Sequence, residues 1–143
     1  MSIYTKEQIG KKEADLKSLY KRINEIPEDV DNPGDLARKI TLYTMAQGII
    51  GSMYAQSIYE HGHAKVVLKN KRLTLMESYP PGETIKSKEA RAEIDTFDLQ
   101  EAEALARAIA KRWEAAYNQT EQLANALKKE LEILNDELRA GGR

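Results

Sequence analysis

Residues 99–138 read LQEAEALARAIAKRWEAAYNQTEQLANALKKELEILNDEL, and this stretch decides the fold. Leu99, Ala102, Ala106, Ile109, Trp113, Ala116, Thr120, Leu123, Leu127, Leu131, Leu134 and Leu138 recur within it at intervals of three or four. That spacing lays them along one side of a helix, as in the seam of a coiled coil or of a long bundle helix. The seam has two halves. Alanines thin the first half around the bulk of Trp113 and permit a close helix approach, whereas the leucines after Leu123 form a zipper-like surface. A helix over about 98–139 is expected, followed by the tail Gly141-Gly142-Arg143.

Working toward the N-terminus, Tyr79-Pro80-Pro81-Gly82-Glu83 stops any helix, because proline lacks an amide donor and pushes the residue before it toward extended geometry. Ser87-Lys88-Glu89-Ala90 resembles a restart capped by Ser87, so a short helix over 87–95 is expected, with Ile94 as its large apolar residue. Asp95-Thr96-Phe97-Asp98 supplies a further set of caps. At Asn32-Pro33-Gly34-Asp35 a capping side chain precedes a proline at the first helical position, and an acid follows in the first turn, where the helix dipole favours it. From there Leu36, Ile40, Tyr43, Gln47, Ile50, Tyr54, Ile58 and His61 form one stripe. Leu42, Met45, Ile49, Met53 and Gln56 form a second beside it, so the segment around 41–59 is the expected core. Gly48 and Gly51 each cost about 1 kcal/mol against alanine in a helix interior. A close crossing by another helix or by a second subunit would explain them.

Past Gly62 the helix is expected to continue to about residue 77, through the stripe Lys65, Leu68, Arg72 and Leu75. The alternative is a short β-hairpin over 65–76, with strands Val66-Val67-Leu68 and Arg72–Met76 around Lys69-Asn70-Lys71. An unbroken helix over 33–77 would measure about 65 Å. Upstream, Ile9, Leu16, Leu19, Ile23 and Ile26 share a stripe on a helix over about 6–26, with Thr5 as its cap and Pro27 as its stop. The expected fold is therefore all-α, elongated and single-domain, a bundle or coiled coil of long helices.

The composition agrees. Of 143 residues, 41% are hydrophobic and 31% charged, the balance of long helices. There is no cysteine, which removes disulfides, thiolate metal sites and cysteine nucleophiles together. No run of 18 apolar residues exists, and Met1–Glu7 lacks the layout of a signal peptide, so a cytoplasmic protein without membrane contact is expected. Helices this long must hide their seams, and self-association is the natural remedy. A homo-oligomer is expected, with Gly48, Gly51, Ile109, Trp113, Leu123, Leu127 and Leu134 at its interface.

Chemistry-bearing motifs are lacking. No phosphate-binding loop, nucleophile elbow or zinc spacing occurs. On a helix the rings of His61 and His63 diverge by roughly 200° and cannot share a metal. Glu101, Glu103, Glu114 and Glu121 mostly fall off the apolar seam, as a solvated face would. No catalytic residue, metal or cofactor is expected, and the chain reads as a non-enzyme.

Charge is uneven despite a net −1. Residues 61–91 carry 7 basic and 3 acidic side chains, a balance of +4, whereas residues 92–143 carry 7 and 11, a balance of −4. The basic stretch comprises Lys65, Lys69, Lys71, Arg72, Lys86, Lys88 and Arg91. It could neutralise a phosphate backbone, although lysines and arginines more often decorate a solvated face. Tyr43, Tyr54, Tyr59 and Tyr117 offer rings on which bases could stack, but rings at helical spacing are more often packing residues.

Several features together resemble small helical bacteriophage proteins of the recombination and replication region, including the recombination mediator proteins of T-even phages. They are the helix Leu42–Tyr59, the Lys65-x3-Lys69-x2-Arg72 stretch, the loop at Gly82, the Lys86-x-Lys88-x2-Arg91 restart and the Trp113-containing helix ending in leucines. The resemblance spans roughly residues 36–134. It implies a non-enzymatic oligomer that contacts single-stranded DNA through the seven basic residues above and helps load a recombinase while displacing a single-strand binding protein. The near-neutral total charge departs from that pattern. Two other readings stand beside it: a small phage inhibitor or anti-defence module docking on a host target protein, and a structural coiled-coil spacer.

Overall fold

A computed structural model of the chain describes residues 2–142. It is all-α: four helices run α1 Lys6–Asn24, α2 Pro33–Ser78, α3 Ile85–Asp95 and α4 Phe97–Gly141, and no strand forms among the described residues. The hairpin alternative over 65–76 is therefore not adopted, and α2 passes unbroken through Lys69-Asn70-Lys71. None of the three residues offers the positive φ that a two-residue hairpin turn demands, because Val66–Met76 keeps helical geometry.

The helix boundaries follow local chemistry. Thr5 caps α1 with a full capping box: its hydroxyl accepts from the Gln8 amide at 3.1 Å, and the Gln8 side chain accepts from the Thr5 amide at 2.9 Å. The helix ends at Asn24, two residues before the expected Ile26, because Pro27 disfavours helical geometry at the residue that precedes it. Asn32 caps α2 by accepting from the Gly34 amide at 2.8 Å. The cap of α3 is Thr84 rather than Ser87, which corrects the expectation. The Ser87 amide itself donates to the Thr84 hydroxyl at 3.2 Å, so the helix starts at Ile85. A single residue, Thr96, separates α3 from α4. It is buried, and its hydroxyl donates to the Ala92 carbonyl at 2.7 Å.

The chain forms two compact units. One comprises Tyr4–Tyr54 and the part of α4 that begins at Trp113. Its core is Leu19, Ile23, Ile26, Leu42 and Ala46, flanked by Leu16, Val30, Tyr43 and Ile49. Leu42 and Ile50 are completely enclosed, and each such side chain contributes about 1.5–3 kcal/mol through the apolar area it removes from water. From α4 this unit buries Thr120 and Ala124, and the Thr120 hydroxyl is satisfied by the Ala116 carbonyl at 2.8 Å. Gly51 meets the Tyr117 ring, whose Cε2 would stand 3.3 Å from an added Cβ, so this glycine does mark a close helix crossing. Gly48 faces open space.

The other unit comprises Ala55–Arg112 with Ser2 and Ile3. It buries Gln56 and Ser57 of α2, Ala92 and Thr96 of the α3 end, and Ala110 of α4. The buried Gln56 amide nitrogen donates to Ser2 Oγ and to Glu60 Oε1, the latter at 2.8 Å. Ile94 does not pack: it is 76% exposed, and α3 is held instead through Ala92 and Thr96.

The packed line of α4 keeps the expected seam at Thr120 and, half-buried, at Trp113, Ala116, Leu127, Leu131 and Leu134, but departs from it at two positions. Ala110, Thr120 and Ala124 are buried, whereas their larger neighbours Ile109 and Leu123 are 36% and 41% exposed. Small side chains let helices approach closely and keep their backbones near, so the alanine line wins the interior and the bulkier residues flank it.

Candidate nucleic-acid interface

The second unit carries an open groove of about 780 Å³ between α2 and α4. The α2 wall holds Lys65, Leu68, Lys69, Arg72, Leu73 and Met76, spaced three, one, three, one and three residues apart, which places them on one helical face. Phe97, Gln100, Glu101, Ala104 and Arg107 follow the same rule on the α4 wall. Two apolar side chains of this groove remain largely in solvent, Leu73 at 52% and Phe97 at 60%. Four cations, Lys65, Lys69, Arg72 and Arg107, stand around that floor.

A clasp joins α2 and α4 at Glu103, a residue of the groove lining. His61 Nε2 donates to Glu103 Oε1 at 2.8 Å, and both side chains are largely buried. Glu103 also faces Arg107 at 4.0 Å, one turn along α4. The His61 hydrogen bond, helped by Arg107 and Lys65, holds the Glu103 carboxyl below the usual carboxylate range against the opposing effect of desolvation. Glu103 thus lies on the packed side of α4 and not on a solvated one, a correction to the expectation. Glu103 and the exposed Glu101 set two carboxylates against the four groove cations, which leaves the lining with a positive balance.

The seven sequence-nominated cations are not one surface. Lys65, Lys69 and Arg72 line the groove, and the Arg72 Nε also donates to Thr96 Oγ1 at 3.4 Å. Arg91 is committed elsewhere: its Nη1 donates to Glu83 Oε1 at 2.6 Å, and its guanidinium lies 4.8 Å from the centre of the Tyr79 ring. The Tyr79 hydroxyl in turn donates to Asp95 Oδ2 at 2.6 Å. This cluster ties the end of α2 to α3, so Arg91 acts in holding the loop together. Lys88 shares the face of α3 that carries Ala92 and Thr96, four residues apart each, and is half-buried. Lys71 and Lys86 are exposed and do not line the groove.

Phe97 and Arg107 belong to the groove but escaped the sequence reading. Their signal was present: Phe97, Gln100, Ala104 and Arg107 keep the three-four spacing on α4, one stripe beside the leucine seam. They are 25 or more residues downstream of Arg72, and only the packing of α4 on α2 brings the two stripes together.

Three of the nominated tyrosines, Tyr43, Tyr59 and Tyr117, are engaged in packing. Tyr43 flanks the core of its unit, where burial and the neighbouring Tyr20 raise its hydroxyl pKa. Tyr59 stacks on His63 with centroids 6.4 Å apart, and Tyr117 covers Gly51. His61 and His63 consequently face different partners. Among the described residues no group of three His, Cys, Asp or Glu side chains could hold a metal ion, and no helix is long and apolar enough to cross a membrane.

The nominated interface residues also divide. Gly51 is met by Tyr117, and Trp113, Leu127 and Leu134 are half-buried, whereas Gly48, Ile109 and Leu123 are left open. No family model matches the chain, and neither a curated protein nor a solved structure matches it. The fold and the groove define an all-α chain with an apolar cleft whose rim carries more cations than carboxylates.

Proposed function

We propose that this chain is a non-enzymatic, homo-oligomeric accessory factor of the phage recombination and replication type, acting in the host cytoplasm, that holds single-stranded DNA in the groove between α2 and α4. The observation that carries the reading is the combination of four cations with an exposed phenylalanine ring in one open cleft. Phosphates would sit against Lys65, Lys69, Arg72 and Arg107, and a base would stack on Phe97, a contact of about 1–3 kcal/mol that tolerates any base. A partner recombinase or single-strand binding protein would meet the complex from the open side.

A fluorescence-anisotropy titration with a labelled oligothymidine in low salt tests this. The wild type is expected to bind weakly and salt-sensitively. Reversal of Lys69 and Arg72 to glutamate should abolish binding, and reversal of Lys86 should change it far less. Absence of binding by the wild type, or equal binding by all three, sinks the reading. One observation favours a second reading, docking on a basic host protein: residues 130–138 carry four acids and no cation. Under that reading a pull-down from host lysate returns one stoichiometric protein and the oligonucleotide is ignored.

A further inference from the structure

The groove has a complement on the chain itself. Glu130-Leu131-Glu132-Ile133-Leu134-Asn135-Asp136-Glu137-Leu138 has a charge of −4. Leu131 and Leu134 are half-buried within their own unit, whereas Ile133 is 59% exposed. Glu130 precedes Ile133 by three residues, and Asp136 and Glu137 follow it by three and four. All four are exposed neighbours on one helical face, so an apolar knob is flanked by three carboxylates, with Lys129, four residues before it, as the one cation beside them. The groove is opposite in net charge, an apolar floor of Leu73 and Phe97 with four cations and two carboxylates, Glu101 and Glu103, around it.

We infer that the groove receives the Glu130–Leu138 face of α4 from a second copy of the chain, with Ile133 against Phe97 and Leu73 and the acids facing Lys69, Arg72 and Arg107. The charge complementarity commits the occupant: an apolar cleft alone would accept any helix, but four cations select an anionic one, and like-charge juxtaposition at such a contact costs several kcal/mol. The volume of about 780 Å³ accommodates several side chains of an entering helix turn. Donor and acceptor surfaces differ, so the contact is head-to-tail, and repetition yields a ring or a chain of subunits. Because the acidic face occupies the same cations as a DNA phosphate would, self-docking and strand binding compete wherever the proposed function holds. Self-docking itself does not depend on it.

Mass in solution across a range of micromolar concentrations tests the inference without any nucleic acid. The wild type should exceed 16.2 kDa by at least twofold. Two variants, Lys69→Glu with Arg107→Glu in the groove and Glu130→Lys with Glu137→Lys on the tail, should each return a 16.2 kDa monomer with unchanged helical circular dichroism, since all four residues are exposed. An equimolar mixture of the two variants should associate again, because the unaltered groove of the tail variant then meets the unaltered tail of the groove variant. Monomeric wild type, unaltered assembly in both variants, or a mixture that stays monomeric overturns the inference. A wild type that assembles as described, together with a monomeric Glu130→Lys, Glu137→Lys variant whose free groove still ignores oligothymidine, supports self-docking while sinking the strand-binding reading, so the two failures are distinguishable.

Discussion

Counterion release gives the groove a numerical signature. Single-stranded DNA that contacts Z cations loses affinity with salt along a slope of about −0.7Z in a double-logarithmic plot. With Lys65, Lys69, Arg72 and Arg107 all engaged, the slope is about −2.8, so affinity falls roughly fifty-fold between about 50 and 200 mM salt. Replacing Lys69 and Arg107 by glutamine removes one cation from each wall and keeps a polar, hydrogen-bonding side chain there. The slope should drop to about −1.4 and the loss over the same range to roughly sevenfold. Arg72 should remain competent in this variant, because Thr96 orients its guanidinium from the α3 end. The assay is anisotropy with an oligothymidine of about 16 nucleotides, the upper site size of a compact single-strand module, titrated at four or more salt concentrations. Equal slopes in wild type and variant, or a wild-type slope near zero, would show that these cations do not meet phosphate.

Further outcomes follow from packing and titration. Gly48→Ala should stabilise the chain by about 1 kcal/mol in thermal unfolding, since an added Cβ meets nothing and the helix gains propensity. At Gly51 the Tyr117 ring stands 3.3 Å from that Cβ, so Gly51→Leu should destabilise by about 1–3 kcal/mol through overpacking. Leu42→Ala should cost about 2–5 kcal/mol in denaturant, and Met45→Ala, half-exposed three residues away, within about 0.5 kcal/mol. Tyr79 is pushed up to about 12 by desolvation and by its hydrogen bond to Asp95. Its contribution to stability is thus complete below pH 10 and is lost as pH rises from there through about 12. Tyrosinate absorbance should show this last-titrating phase in the wild type and lose it in Tyr79→Phe. Glu103, held low by His61, contributes above its ordinary value of 4.5 and should lose that contribution as pH falls below it, an acid transition that His61→Ala should blunt.

Much of this architecture is written in local chemistry. Thr5, Asn32, Pro33 and the Pro80-Pro81 pair mark helix ends because caps and prolines act within a few residues of themselves, and the sequence alone places them. The three-four recurrence in α1, α2 and α4 is equally local and determines an all-α chain. The cap of α3 is ambiguous in sequence because Thr84 and Ser87 are both competent caps three residues apart, and the choice depends on which one the preceding turn delivers in extended geometry.

What tertiary packing alone decided is which stripe of each helix faces inward. Ile109 and Leu123 outrank Ala110 and Ala124 in hydrophobicity, yet the alanines are buried, because the depth to which two helices approach is a property of both and is not encoded in either. The groove arises in the same way. Lys65, Lys69 and Arg72 are one stripe and Phe97 and Arg107 another, and their convergence, like the recruitment of Arg91 to Glu83 and Tyr79, depends on how α3 and α4 fold back. Sequence determines which residues share a helical face; contact between faces, being a relation between distant segments, appears only once the chain has packed.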